Sequence, residues 1–180
     1  IQLAISNNNI SSTNSVNDGN WHHVAVVITN DGSPHLSEIQ FYIDGVLEVN
    51  SAMAGGGPGN INTAAAGSDV MIGYSPGLST YFQGDIDEVR IWNVARNQTQ
   101  ISSNMSCELN VAANLQAVYH LNQGVAGGSN TGVTSANDAS GNSRTGTLTG
   151  FALTGATSNW VAPGGIAPTG QYRTTGGGTV

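Results

Sequence analysis

Lysine does not occur in the 180 residues, and the only basic side chains are Arg90, Arg96, Arg144 and Arg173. Against eleven carboxylates they leave a formal charge of -7. Neutralising a phosphate backbone takes clustered Lys and Arg, so a nucleic-acid partner is not expected. The lack of lysine also removes the amine that a Lys to Asn isopeptide cross-link would need. Charge of either sign is scarce, at 8% of the chain against roughly 25% in ordinary soluble domains. Gly, Ser, Thr and Asn take the polar positions instead, which gives a neutral surface of hydroxyls and amides; the missing lysines, which also leave few tryptic sites, suit an extracellular or cell-surface location. The one cysteine, Cys107, cannot close an internal disulfide, so rigidity must come from sheet packing or bound ions, and a buried free thiol is its expected state. No apolar run approaches the roughly 18 residues of a membrane-spanning helix, so no transmembrane segment is expected.

What is present reads as strands divided by Gly, Asn and Ser turns, the spacing of an all-β sandwich or barrel. "WHHVAVVIT", Trp21 to Thr29, is apolar on both parities, as in a central strand covered on both faces. "EIQFYIDGVLEV" alternates, with Ile39, Phe41 and Ile43 on one side and Gln40, Tyr42 and Asp44 on the other, and Asp44-Gly45 suits a two-residue hairpin turn. Asn50 to Ser68 has no period and reads as a long loop. "DVMIGY", Asp69 to Tyr74, returns to strand. Asn97 with Gln100 matches a capping box and predicts one short helix, roughly Gln98 to Met105. "NLQAVYHLNQG" reads as a strand with Leu115, Ala117, Tyr119 and Leu121 in register. Phe151, Leu153 and Trp160 should fasten the Gly- and Ser-rich stretch before them, and the last residues look like a linker. The domain is therefore set at 1–162 and the tail at 163–180. The periodicity assigns Trp21, Val24, Val26, Ile39, Phe41, Ile43, Ile72, Ile86, Ile91 and Trp92 to the core.

In "YFQGDIDEVRIW", Tyr81 to Trp92, the apolar parity flips: Phe82, Gly84 and Ile86 are even, Val89 and Ile91 odd. The slip falls at Asp87 and Glu88 and marks a bulge or a strand that changes sheets.

In the same order, "DGNWHHVAVVI", "IQFYIDGVLEV", "VMIGY", "FQGDIDEVRIWNVARNQTQI" and "NLQAVYHLNQG" resemble the LamG-like jelly rolls, laminin G type 3, of the concanavalin A-like lectin/glucanase superfamily. Phe82 to Trp92 is similar to that family's F-x-G-x-I-D-E-V-R-I-W strand nearly letter for letter. Ile101, Met105, Cys107 and "ASGNSRTGTLTGF" look like the version in large surface and secreted proteins of polysaccharide-feeding bacteria. The resemblance implies a two-sheet antiparallel jelly-roll sandwich with one short helix. It also implies strands ahead of Trp21 that this sequence lacks, to be supplied by the same protein upstream or by a neighbouring chain. A structural Ca2+ held partly by Asp85 and Asp87 is a further implication. The competing reading pairs Glu88 with Arg90 at the surface and gives Asp87 backbone N–H bonds.

Catalysis is not expected. Relatives that cleave β-glucans carry a third acid near E-x-D-x-x-E, whereas the position two beyond Glu88 is Arg90. The four histidines show no H-x-H or H-E-x-x-H spacing, and satisfied structural histidines are the simpler reading. Asp138, Ser140 and Asn142 in "DASGNS" lack the rest of a calcium loop and suggest an Asx turn. Glycan binding needs exposed rings, and Tyr81 with Tyr74 are the best placed. The expected function is a non-catalytic adhesion module for glycans or protein surfaces. The alternative is a structural repeat that packs against neighbouring repeats and binds no sugar.

Overall fold

A computed structural model describes residues 2–5, 8–49, 59–61, 69–75, 77–162 and 165–166, which fall into two compact units. The first takes residues 1–70 and 94–105, the second 71–93 and 106–180.

In the first unit β1 (Gln2–Ile5) pairs antiparallel with β2 (Asn8–Ser11), and a second sheet has the order β3 (Val24–Val27), β4 (Gln40–Ile43), β5 (Val46–Leu47). Asp44 and Gly45 join β4 to β5 with φ of 50° and 77°, the pair of positive values that matches a hairpin to the strand twist. Ile39 and Phe41 are fully buried against Ile10 and Leu36, as the alternation requires. Tyr42, expected to face outward, is buried too. Its ring packs with Val27 and with Ile101 of helix α1 (Gln98–Ser102), which covers the second face of β4. The capping box forms in both directions: Gln100 N–H donates to Asn97 Oδ1 at 2.9 Å and Asn97 N–H to Gln100 Oε1 at 3.1 Å. The helix ends sooner than its apolar period suggests. Ser102 Oγ and Asn104 Nδ2 bond back to the carbonyls of Gln98 and Gln100, competing with further turns.

The central strand expected over Trp21 to Thr29 is corrected. β3 is four residues long and has β4 on one side and no other strand among the described residues. Val24 and Val26 stand opposite Ile43 and Phe41 on the same face, yet the core gathers under β4. Val24, Val26 and Trp21 at this margin stay 41%, 42% and 43% exposed. Most of the loop expected over Asn50 to Ser68 lies outside the described residues. Gly59 and Ile61 hold the segment before β4: Leu36 N–H donates to Gly59 O, Ile61 N–H to Pro34 O, and His35 caps a 3-10 turn at Leu36–Glu38.

In the second unit β6 (Tyr74–Ser75) pairs with β7 (Thr80–Tyr81), β8 (Val89–Trp92) with β9 (Leu115–Tyr119), and β10 (Ser135–Ala136) with β11 (Gly146–Thr147), all antiparallel. Val89 and Ile91 pack on Ala117, Tyr119 and Ala136, so the odd parity holds from Val89 onward. The expected Asp69 to Tyr74 strand shrinks to its end, leaving Ile72 exposed. Phe82 and Phe151 are exposed as well, because no described strand covers them, while Ile86, Ile91 and Trp92 are half-buried.

The far edge of β9 is closed by side chains rather than by a strand. Asp138 accepts from Val118 N–H at 3.0 Å, Ser140 Oγ donates to Gln116 O at 3.2 Å, and Asn142 Nδ2 donates to Leu115 O at 2.9 Å. Asp138 also takes Ser140 N–H at 2.9 Å, which is the expected Asx turn. Trp160 packs closely on Gly124, where a Cβ would stand 2.3 Å from the indole.

Candidate functional site

β6 and β7 are held together at both ends. Phe82 N–H donates to Gly73 O and Leu78 N–H to Ser75 O, and Ser79 takes φ of 51° in the turn. Antiparallel register sets Tyr74 directly across from Tyr81, so the rings meet with centroids 4.9 Å apart and planes at 41°. Tyr74 is half-buried and supports its partner; Tyr81 is 62% exposed. The Tyr81 hydroxyl lies beside Gly150, where a Cβ would stand 3.7 Å away in ordinary contact. Leu78 and Phe82 beside it and Phe151 after Gly150 are also exposed. The two tyrosines singled out from sequence are thus together, in a surface of rings and alkyl groups with no charge of its own.

The acids of the 81–92 stretch separate. Asp85 is exposed. Asp87 accepts the backbone N–H of Ile166 at 2.9 Å, and a Cβ on Gly165 would stand only 2.2 Å from its carboxylate. Glu88 is the parity break itself, with φ of 51° immediately before β8. Its pairing with Arg90 is not a surface one: the two side chains, joined at 3.0 Å, are 4% and 9% exposed. Glu88 Oε1 accepts from His120 Nδ1, and Arg90 Nη2 donates to the carbonyl of half-buried Cys107. His120 Nε2 lies 3.1 Å from Asn110 Oδ1, and Asn122 Nδ2 donates to Glu108 Oε1 at 3.0 Å. Glu88, Glu108 and His120 bring one ligand atom each within 4.8 Å of the others.

Ca2+ requires six to eight oxygens. Among the described residues no third carboxylate or histidine joins Asp85 and Asp87 at ligand spacing, so the pair supplies a partial shell at most. The Glu88 group fits Ca2+ worse, since it offers an imidazole nitrogen and sets a guanidinium against one carboxylate. Glu88 is equally unsuited to act as an acid or base on a substrate: both oxygens are engaged and the group is out of solvent.

A third cluster escaped the sequence reading. His22 donates through Nδ1 to Asp44 Oδ2 at 2.8 Å and through Nε2 to Asp18 Oδ1 at 3.0 Å. These bonds, the one to Asp44 first, raise the imidazole above its usual pKa. Asp18 is lowered by its bonds from Asn20 and then from His22. For Asp44 burial pulls upward, but the His22 bond and the His23 N–H outweigh it and hold the carboxyl low. Spacing hid the group because His22 and His23 precede β3 instead of alternating within it.

Residues 2–102 match the laminin G type 3 family of the concanavalin A-like lectin/glucanases superfamily. That is more than half of the chain, and the chain belongs to this family. No curated protein and no solved structure gives a significant match. Nearly all-β structure built from small antiparallel sheets with one short helix agrees with the β-sandwich class of the family. No helix among the described residues is long and apolar enough to cross a membrane.

Proposed function

We propose that the chain is a non-catalytic binding module of an extracellular or cell-surface protein, and that its ligand is a neutral glycan bound on Tyr81. The observation that carries this reading is the exposed Tyr81 ring buttressed by Tyr74. A sugar ring presents apolar C–H faces that stack on an aromatic side chain while its hydroxyls bond to neighbouring polar groups. A chain with a formal charge of -7 repels polyanions, which favours neutral polysaccharides over acidic ones. The engaged state of Glu88 supports binding without turnover. A Ca2+ at Asp85 and Asp87 would be structural and would need further oxygens to complete its shell.

A structural-repeat role finds support in a different place, the apolar margin of β3, where Trp21, Val24 and Val26 are exposed and an upstream strand or adjoining repeat could pack. A glycan array separates the two. The binding reading expects signal on neutral polysaccharides that Tyr81→Ala removes with the fold intact. Silence across the array together with concentration-dependent self-association would favour the repeat.

A further inference from the structure

We propose that His22 is a pH-operated clasp: as an imidazolium it pins the turn at Asp18–Asn20 to the hairpin turn at Asp44, and on losing its proton it lets the first turn go. The inference is independent of the glycan reading of Tyr81, which concerns the other unit. Residues 13–23 lead into β3 and are fastened to the β4–β5 hairpin at two places. At one end Thr13 N–H and Oγ1 donate to Val49 O at 3.2 and 3.1 Å, and Asn14 Nδ2 donates to Glu48 Oε2 at 2.6 Å. At the other, His23 N–H donates to Asp44 Oδ1 at 2.9 Å and Asp44 N–H to His23 O at 2.8 Å. Between them Asp18 closes an Asx turn, its two oxygens taking Asn20 N–H and Asn20 Nδ2 at 2.9 Å each. Among the described residues this turn is hydrogen-bonded onward through His22 alone, whose Nε2 lies 3.0 Å from Asp18 Oδ1 and Nδ1 2.8 Å from Asp44 Oδ2.

Two carboxylates on one ring require two N–H donors, and only the imidazolium has both. A neutral ring keeps one. The Asp44 bond retains it, because that carboxylate is already fixed by His23 N–H, and the Nε2 lone pair then meets Asp18 Oδ1, acceptor against acceptor. The groups facing the ring are Asp18 from its own segment and Asp44 from the hairpin turn, with His23 acting on Asp44 from alongside. The chain has no lysine, and among the described residues neither carboxylate pairs with an arginine, so no second cation replaces the lost one. Only 19% of the His22 side chain is exposed, which still lets the ring exchange its proton with water. Its carboxylate partners raise it above the ordinary 6.5, so both bonds are present below that pH and release follows as pH rises through the higher value.

The test is backbone NMR relaxation of the full chain from about pH 5.5 to about pH 9, carbon-detected so that amide exchange does not interfere. The order parameters of Gly19 and Asn20 should fall from about 0.85 to below about 0.6. The midpoint should coincide with that of the His22 imidazole resonance in the same samples, while Phe41 stays rigid. Two variants, each checked for parent-like circular dichroism, decide whether the link itself is responsible. His22→Ala should leave Gly19 and Asn20 mobile at every pH. Asp18→Ser keeps a hydroxyl acceptor for Asn20 N–H but gives up the reach to His22, so the turn should be mobile throughout although His22 still titrates against Asp44. Order parameters that stay constant through the His22 titration of the parent overturn the clasp, as does a pH-dependent loosening that survives in either variant.

Discussion

Replacing Asp138 by alanine should destabilise the protein more than any other loop substitution, because this carboxylate stands in for a missing strand. It accepts four hydrogen bonds, from the N–H groups of Val118, Ser140 and Arg144 and from Ser140 Oγ, at 2.9 to 3.0 Å. Burial pushes its pKa up, but the N–H donors of Val118, Arg144 and Ser140 prevail and bring it down to about 2 from an ordinary 3.8. Nearly two pKa units correspond to about 2.5 kcal/mol, and partial exposure reduces the figure to about 2. The alanine variant additionally strands the N–H of fully buried Val118, which costs about 1–3 kcal/mol. The total expected for Asp138→Ala is about 3 kcal/mol and for Asp138→Asn, which keeps one acceptor, about 1–2 kcal/mol. Urea unfolding followed by Trp fluorescence and far-ultraviolet circular dichroism measures both. The folded pKa lies below the unfolded one, so the stabilisation is complete above about pH 4 and is lost as pH falls towards 2. The gap between parent and Asp138→Asn should close over that window. A cost under about 0.5 kcal/mol for alanine, or a gap that stays constant down to pH 2, would refute the argument.

His22 titrates above its ordinary 6.5 because Asp44 and Asp18 stabilise the imidazolium, so the bonds it makes are fully present below pH 6.5 and are lost as pH rises through the raised value. Proton NMR should show that shift diminished in Asp44→Asn; a normal pKa in the parent contradicts it. Gly45→Ala forces an alanine into φ of 77° and sets its Cβ 2.7 Å from Ser102 Oγ, which should cost about 1–3 kcal/mol in thermal unfolding; a neutral effect removes the tight approach of turn and helix. Phe41→Ala, at a fully buried position, should cost about 3–5 kcal/mol, and a smaller loss in urea unfolding would place the core elsewhere.

The features legible in the sequence are those fixed by local chemistry. Asp44-Gly45 carried its own turn, Asn97 and Gln100 their own cap, and the alternation of Ile39, Phe41 and Ile43 its own face. Binary pattern fails where burial depends on a neighbour. Val24 and Val26 have the composition of a central strand but sit at a sheet margin, and Tyr42 looks like an outward residue until Ile101 covers it. The site was legible in half. Tyr74 and Tyr81 were found as rings near one turn, and cross-strand register made them a pair. Asp85 and Asp87 lay close along the chain, yet the corner at Glu88 turned the chemistry toward His120 and Glu108, residues with no spacing in common. The Asp18–His22–Asp44 group was hidden for the same reason, since two separate segments of chain supply it.

The most direct measurement of the central claim is a map of amide perturbations by heteronuclear NMR as a neutral oligosaccharide is added to the chain. Binding on the tyrosine pair predicts shifts concentrated on Gly73, Tyr74, Thr80, Tyr81 and Phe82 and on Gly150, with no sugar released during the experiment and no perturbation in Tyr81→Ala. Shifts centred on Val24 to Val27, or a spectrum that no neutral oligosaccharide of a broad panel changes, would contradict the assignment of this surface as a glycan platform.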